Sequence, residues 1–225
     1  MRSPYAFDIE TCPLPLESFT ARQRRRYDAE LKRELKAGGV TTRVPDASSK
    51  VRGLHAWLGW VCCVAVAWRE PGALNVYETR SFATETPDGE ADMLAEFWAF
   101  VADADPRLVV SFNGKHFDSP YLRTRSLAHA LRLPPVAARF LSTHRWRNAP
   151  HTDLAHLFHP QRVGLADVCE LLHVETPKGD ISGADVAGCV ERGEIDRVAR
   201  YCEADTRATL ECYDVFAHLA APVLS

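Results

Sequence analysis

Two carboxylates close to the amino terminus share one face of a predicted strand. Apolar and polar residues alternate over Tyr5-Ala6-Phe7-Asp8-Ile9-Glu10, a pattern typical of a β-strand. Because successive side chains of a strand point to opposite faces, Asp8 and Glu10 leave the same face. Carboxylates at this spacing repel each other, and a divalent cation with oxygen ligands relieves that repulsion. The pair alone indicates either a metal site or a solvated edge strand.

A third carboxylate, Asp118, lies between a predicted strand and the helix that follows it. The strand covers residues 107–112, and Ser119-Pro120 opens the helix, with proline where a missing N–H costs nothing. An aspartate at this junction either caps the free N–H groups of the helix or acts together with the other acids. Its position alone is consistent with both.

The fourth carboxylate, Asp205, lies on the last predicted helix together with Tyr201. Apolar residues at three- and four-residue steps predict this helix over residues 194–219. Residues four apart share one face of a helix, so Tyr201 and Asp205 lie side by side along the border of the apolar stripe. An aspartate at that border needs a partner, although a pair of this spacing is commonplace.

The three sites together resemble a known family. Phe7-Asp8-Ile9-Glu10-Thr11, Asn113-x-x-x-Phe117-Asp118 and Tyr201-x-x-x-Asp205 are similar to the three exonuclease motifs of the DEDD superfamily, in the DEDDy version with a tyrosine in the third motif. The other version has histidine five residues before the last aspartate, where this chain has Arg200. Residues 111–122 and 178–205 resemble the predicted 3′-5′ exonucleases related to the proofreading domain of family-B DNA polymerases, and the resemblance extends over residues 5 to about 213.

The resemblance implies an RNase H-like α/β fold in which the four acids converge over the sheet and hold two divalent ions, Mg²⁺ or Mn²⁺. Asp8 would bridge both ions, Glu10 and Asp205 would complete the nucleophile side, and Asp118 would hold the second ion, partly through water. Tyr201 would orient the attacking water. The catalytic set is therefore Asp8, Glu10, Asp118, Tyr201 and Asp205.

The implied reaction is hydrolysis of single-stranded nucleic acid from its 3′ end, with release of nucleoside monophosphates. The resemblance assigns substrate contacts to Thr11, Asn113, Phe117 and Lys178 and makes His116 a residue of the rim. It favours DNA over RNA, although no motif of the chain reads a base or a 2′-hydroxyl group. It does not identify a polymerase partner.

Two other classes of function stay open. A nuclease-derived module that only binds nucleic acid would keep the fold and lose the acids, whereas all four acids and the tyrosine are present. An RNase H-like endonuclease shares the two carboxylates of the first strand but not the tyrosine motif of the last helix.

A single domain must position these residues. Three strands at short spacing predict an antiparallel meander, and the helices and strands that follow predict parallel pairing, which together give a mixed sheet with helices packed on it. The predicted strands are 5–10, 60–68, 74–80, 107–112 and a short one before Asp153, and the predicted helices are 92–101, 119–131, 163–172, 184–191 and 194–219. The rest of 133–159 is predicted to be loop.

The charge is unevenly distributed along the 225 residues. The chain has 46% hydrophobic and 25% charged residues, as folded proteins do, and a net charge of −3, which provides no general attraction for long nucleic acids. Residues 20–55 hold ten Lys and Arg against four acids. We predict that this basic insertion is a helix followed by a loop, and that it is either a solvated helix or an arm that faces phosphates.

Cysteines, histidines and hydropathy bear on the compartment. The seven cysteines include no CxxC pair, and the longest uncharged apolar run, residues 56–68, is well short of the roughly 20 residues that span a bilayer. No export signal precedes Asp8. These features predict a cytoplasmic protein without a membrane partner. His151, His156 and His159 are interpreted as surface and loop residues rather than metal ligands.

Overall fold

A five-stranded sheet carries the candidate residues. The computed structural model describes residues 4–38, 44–70, 72, 76–145, 147–177 and 180–219. The strands are β1 (Tyr5–Pro13), β2 (Gly59–Arg69), β3 (Tyr77–Ala83), β4 (Val109–Ser111) and β5 (His151–Asp153). The helices are α1 (Ala21–Gly38), α2 (Val44–Leu54), α3 (Glu90–Ala104), α4 (Asp118–Ala128), α5 (Ala137–Phe140), α6 (Leu154–Leu157), α7 (Leu165–Leu172), α8 (Val186–Glu191) and α9 (Ile195–Leu219).

The strand order is β3-β2-β1-β4-β5, which places β1 at the centre of the sheet. The pairs β1–β2 and β2–β3 are antiparallel, whereas β1–β4 and β4–β5 are parallel. This pairing confirms the predicted meander followed by parallel strands. The carboxyl ends of β1, β4 and β5 therefore lie along one edge of the sheet, which is where α/β folds usually bind their ligands.

The two faces of the sheet are covered by different helices. Phe7 and Ile9 belong to a core that also contains Phe97 of α3 and Leu122 of α4. On the other face, Val198 and Cys202 of α9 pack against residues of β2. The side chains of β1 thus divide between the two faces as predicted. The apolar ones lie in the first core, and the carboxylates lie on the side of α9.

A buried carboxylate joins α3, α4 and β2. Glu90 accepts a hydrogen bond from the Val61 backbone N–H at 2.8 Å and from Arg125 Nη2 at 2.6 Å, and His129 Nε2 lies 2.7 Å from its Oε2 atom. Breaking such a pair inside a protein leaves an uncompensated charge. The network holds α4, the helix that begins at Asp118, against the sheet.

The second half of the basic insertion is a helix, α2, and the predicted loop is wrong. Two serines and two glycines suggested a loop, but the pattern missed a small core between α1 and α2 that contains Tyr27, Val51 and Leu58. The Tyr27 hydroxyl also lies 2.8 Å from Ser48 Oγ. Tertiary packing thus outweighs the weak helix propensity of the serines.

Other boundaries differ in smaller ways. Strand β3 begins at Tyr77 rather than residue 74, and residues 73–75 lie outside the described part. The predicted short strand before Asp153 is present as β5, but the segment predicted as loop around it also forms α5 and α6. These helices have four residues each, which is too short for a periodic pattern.

His151 is not a surface residue, which corrects the interpretation above. It lies on β5 with no exposed surface, and burial lowers its pKa to about 3. Nδ1 of the neutral ring donates to the Ser142 carbonyl at 3.0 Å, so Nε2 accepts from Ser111 Oγ at 2.7 Å. His159, in contrast, is exposed as predicted.

The cysteines are buried free thiols, all seven of them. Over the residues that the structure describes, every helix is too short or too polar to cross a membrane.

Candidate active site

Strand β1 places Asp8 and Glu10 under α9. Cys202 of α9 lies directly against Asp8, with its Sγ atom 3.6 Å from the Asp8 carbonyl oxygen and 3.7 Å from Oδ2. The pairing with β2 shifts register between Glu10 and Thr11. Irregularities of this kind bend a strand and re-aim its side chains, and they are frequent beside active sites.

Asp118 points at β1 and does not cap its helix. It is the first residue of α4 and is 3% exposed, and Phe117 holds the cap position without a side-chain hydrogen bond. Its Oδ1 atom accepts the backbone N–H of Ile9 at 3.0 Å. Of the two alternatives left open by the sequence, the structure excludes capping and brings the carboxylate beside Asp8 and Glu10.

The loop between β4 and α4 is fixed by Asp153, a residue that the sequence analysis used only to mark the end of a strand. Asp153 is 1% exposed and accepts the backbone N–H groups of Asn113 at 2.8 Å and Lys115 at 3.0 Å. It also caps α6 through the Ala155 N–H at 3.1 Å. An aspartate at the carboxyl end of a predicted parallel strand was the available signal.

Close packing in the same loop requires glycine at position 114. A Cβ atom there would collide with the Ser111 side chain and would lie 3.3 Å from Asp118 Oδ2. Lys115 is 4% exposed, and its Nζ atom donates to the carbonyls of His144 at 3.0 Å and Arg147 at 2.6 Å. Burial lowers the pKa of this amine. The lysine thus ties the loop before Asp118 to the segment before β5.

Helix α9 supplies Tyr201 and Asp205, whose side chains are close enough to influence each other's pKa. Burial, followed by the negative charges of Asp205 and Glu10, raises the pKa of the phenol, which therefore stays protonated. Glu203 fixes the rotation of the helix by accepting hydrogen bonds from Ser81 Oγ at 2.5 Å and Thr79 Oγ1 at 3.1 Å on β3.

The four carboxylates oppose one another's ionisation. Burial raises the pKa of Asp8, and the charges of Asp118, Glu10 and Asp205 raise it further. Burial and then Asp205 and Asp118 raise the pKa of Glu10 to about 8. Burial raises the pKa of Asp118 to about 7, against the lowering effect of backbone hydrogen bonds that include the Ile9 N–H, and the pKa of Asp205 to about 6.

These residues fit a divalent cation. Asp8, Glu10 and Cys202 can each direct one ligand atom within 4.8 Å of the others, and Asp118 and Asp205 are close enough to act on the same carboxylates. Hard oxygen donors suit Mg²⁺ and Mn²⁺, and positive charge would relieve the mutual repulsion. The sequence placed Cys202 only in the apolar stripe, and no sequence signal indicated its contact with Asp8.

The four predicted substrate contacts differ in their surroundings. Thr11 Oγ1 donates to the Gly53 carbonyl at 2.9 Å, and Asn113 is exposed with a positive φ of 61°. The Phe117 ring packs 5.4 Å from that of Tyr121. Lys178 lies outside the described residues. Substrate contact by these four residues stays a prediction.

Comparisons with known proteins agree with the geometry. A family model described as a predicted 3′-5′ exonuclease related to the exonuclease domain of PolB matches residues 54–223. A DNA polymerase of Pyrococcus glycovorans is 26% identical over 141 residues, which cover 56% of this chain and 18% of that protein. The solved family B DNA polymerase of Pyrobaculum calidifontis superposes with a TM-score of 0.60 at 20% identity, covering 99% of this chain and 25% of the polymerase. The structural match confirms the predicted fold class, and the chain spans a quarter or less of both polymerases.

Proposed function

The chain belongs to the family of predicted 3′-5′ exonucleases related to the exonuclease domain of PolB, and from this premise we propose that it is a metal-dependent exonuclease of the DEDDy type. It releases nucleoside monophosphates from the 3′ ends of single strands. The observation that carries the proposal is the convergence of four carboxylates and one protonated tyrosine, from β1, α4 and α9, at the centre of the sheet.

Asp8, Glu10, Asp118 and Asp205 would hold two ions of Mg²⁺ or Mn²⁺. Such ions supply positive charge beside the scissile phosphate and make water easier to deprotonate. The fold itself holds two of these acids in place. Asp118 is fixed by the Ile9 N–H, and Asp8 is fixed on the central strand under Cys202.

Tyr201 positions the attacking water in this proposal. Its raised pKa keeps the hydroxyl protonated, so that it acts as a hydrogen-bonding group rather than as a base. The charges of Asp205, Glu10 and Asp8 all act on the phenol, which therefore lies beside the acids. Holding the water in line with the phosphorus requires only a hydrogen bond, so the phenol does not have to accept a proton from the water.

DNA is the proposed substrate, because the relatives that the chain resembles are DNA polymerases by name. Asn113 and Phe117 belong to the loop that ends at Asp118 and would contact the terminal nucleotide, with Thr11 and Lys178 as further contacts. Hydrolysis at a free 3′ end follows if a chain terminus, rather than an internal nucleotide, lies against this loop.

The test is a time course on 5′-labelled single-stranded DNA and RNA of one sequence, with Mg²⁺, Mn²⁺ or excess EDTA. We expect a ladder that shortens one nucleotide at a time with either ion, no reaction in EDTA, and faster loss of DNA. Asp118→Ala should abolish the reaction. Asp167→Ala, which removes an exposed aspartate from the first turn of α7, is the matched control and should retain it.

Two results would contradict the proposal and favour an alternative class. Cleavage of a circular single strand, which has no 3′ end, would favour an RNase H-like endonuclease. Tight binding with no hydrolysis under either ion would favour a binding module that has kept its acids.

A further inference from the structure

A surface cavity of about 860 Å³ lies beside the loop that precedes Asp118. One wall is formed by residues 112, 113, 115 and 116, and the others by residues 143, 145, 155, 156 and 159–163. The residues that matter here are Phe112, Lys115, His116, Arg145, His156 and Arg162. We refer to this cavity as the β5 groove, because Asp153 at the end of β5 holds its first wall.

The charge of the β5 groove is opposite to that of the acid cluster. Its described lining includes Lys115, Arg145 and Arg162 and no aspartate or glutamate. Lys115 and Arg145 both act on His156, whose pKa is lowered first by burial and then affected by Asp153 and these cations. Arg162 and His116 are exposed. A cationic surface of this kind attracts phosphate, while the chain as a whole carries −3.

The loop between β4 and α4 connects the β5 groove to the acid cluster. Asn113 lines the groove, and its backbone N–H is bound by Asp153. Five residues further, Asp118 points at β1. A chain whose last phosphate lies at the acids would therefore meet the groove next, on the side of β4 and β5. Phe112 adds an aromatic ring to the lining, and single strands are commonly bound by cations together with aromatic faces.

We propose that the β5 groove binds the phosphodiester backbone of a single strand on the 5′ side of the terminal nucleotide. Arg145 and Arg162 contact phosphates, and Phe112 offers its ring to a base. This inference rests on the proposed function, because it takes the position of the 3′ end at the acid cluster as its starting point. The β5 groove is not part of the basic insertion, which packs against the end of β1 through the hydrogen bond between Thr11 and the Gly53 carbonyl.

The first test measures binding without chemistry. Fluorescence anisotropy with a 5′-labelled dodecamer of thymidylate in EDTA, over a series of NaCl concentrations, compares the wild type with Arg145→Gln/Arg162→Gln. We expect a Kd about tenfold higher at low salt and a salt slope smaller by about 1.4, since each phosphate contact on a single strand contributes about 0.7. Arg123→Gln/Arg132→Gln, which replaces two exposed arginines outside the groove lining, is the matched control and should keep the wild-type slope.

The second test separates the groove from the acids. The p-nitrophenyl ester of thymidine 5′-monophosphate has no phosphate beyond the scissile one, so Arg145→Gln/Arg162→Gln should lose activity on the dodecamer and not on the ester. Equal losses on both substrates, or an unchanged salt slope, would overturn the groove proposal. Full displacement of the dodecamer by equimolar inorganic phosphate would overturn it as well, since it would indicate a small-anion site.

Failure of the proposed function has a different signature. A wild-type protein that hydrolyses neither the dodecamer nor the ester removes the exonuclease proposal, while the anisotropy series still decides whether the groove binds backbone. Equal melting temperatures of the wild type and both variants exclude misfolding as the cause of weaker binding.

Discussion

The phenol oxygen of Tyr201 offers the most direct test at the scale of single residues. Tyr201→Phe keeps the ring and all four carboxylates and removes only the hydroxyl beside Asp205. If that hydroxyl positions the water, kcat should fall by roughly 10² to 10⁴, the range for a positioned group in proton transfer, with ion affinity almost unchanged. Asp205→Ala should lose ion affinity and activity together. Single-turnover rates at saturating Mn²⁺ measure the difference.

Tyr77 provides the matched control for this substitution. Its hydroxyl donates to Asp214 Oδ2 at 3.1 Å, a tyrosine–aspartate bond between β3 and α9 outside the acid cluster. Tyr77→Phe should lower the free energy of unfolding by about 1 kcal/mol, the usual net value of one hydrogen bond, and leave kcat unchanged. Wild-type rates in Tyr201→Phe would mean that its tyrosine only packs the helix and that the third motif has been misassigned.

The carboxylates predict how stability depends on pH. A folded-state pKa raised to about 8 for Glu10 and about 7 for Asp118 means that the native protein binds more protons than the unfolded chain from the ordinary carboxyl range up to pH 8. The stabilisation that these two acids give the folded state is therefore complete at low pH and is lost as pH rises through about 7 and about 8. Because divalent ions bind the deprotonated acids, the rise in Tm with Mn²⁺ should grow over the same range.

The measurement is thermal melting between pH 6.5 and 8.5, in EDTA and in Mn²⁺. His151 has a pKa lowered to about 3 and therefore adds stability as pH rises. Because the ordinary value is about 6.5, this opposite effect fades within about one pH unit above 6.5 and leaves the upper half of the window to the carboxylates. Asp8→Ala should show a smaller rise with Mn²⁺, and Glu10→Gln a flatter pH profile in EDTA. Glu96→Gln, on the exposed face of α3, should match the wild type. A Tm in EDTA that climbs with pH across the window would contradict the prediction.

At the scale of elements, the end of β5 controls the loop that positions Asp118. Asp153 accepts three backbone N–H groups from the β4–α4 loop and from α6. Asp153→Ala leaves the buried Lys115 N–H and the partly buried N–H groups of Asn113 and Ala155 without this acceptor. We expect a loss on the order of 3 kcal/mol in the free energy of unfolding, measured by urea denaturation. Activity should fall as well, through looser placement of Asn113 and Asp118.

Asp167 supplies the comparison at an exposed position. It accepts the Gly164 N–H at 2.7 Å at the start of α7. Asp167→Ala removes a single capping bond in solvent and should cost about 1 kcal/mol without altering hydrolysis. Equal costs at the two positions would mean that the β5 end does not organise the loop.

The sequence predicted the elements that have a clear period and missed those that depend on neighbours. Alternation placed Asp8 and Glu10 on the correct face of β1, and the apolar stripe located α9 to within one residue of its start at Ile195. Helix α2 was missed because its helical state depends on contact with Tyr27 of α1. His151 was taken for a surface residue because its two hydrogen-bond partners are Ser111 and the Ser142 carbonyl. No local pattern links these residues to it.

The same distinction applies to the candidate site. The four acids were identified by their motifs, and the structure brings them together. Cys202 and Asp153 were not identified, because one is recognised only when α9 lies on β1, and the other only when β5 pairs with β4. Motif spacing therefore indicates which residues are candidates for chemistry, but not which residues hold them in place.

At the scale of the whole molecule, the site depends on segments far apart in the chain. The acids extend from position 8 to position 205, so the cluster forms only when β1 and α9 are packed together. The charge is likewise divided. In the sequence, the basic insertion at residues 20–55 has an excess of six positive charges, whereas the β5 groove is lined by Lys115, Arg145 and Arg162. Two separate surfaces can thus attract a polyanion to a chain that is acidic overall.

The last prediction concerns the basic insertion. Arg24 Nη2 donates to the Leu16 carbonyl at 3.2 Å, and Arg26 lies 5.8 Å from the centre of the Trp57 ring, so both are partly engaged in packing. Replacing Arg24, Arg25 and Arg26 by glutamine should raise KM and leave kcat close to wild type. The slope of log affinity against log salt concentration should become smaller by at most about 2. Phosphate contacts of this kind stabilise the ground state and the transition state equally.

The control removes three charges that are already neutralised within the protein. Arg80, Arg192 and Arg207 each pair with a glutamate, at 2.9, 2.9 and 2.8 Å. Their replacement by glutamine changes the net charge by the same amount, so a salt slope that falls in both triple variants would report net charge alone. A slope that falls only in the insertion variant supports a phosphate-facing arm. An unchanged slope there would return residues 20–55 to the role of a solvated helical insertion and leave the β5 groove as the cationic surface that meets the strand.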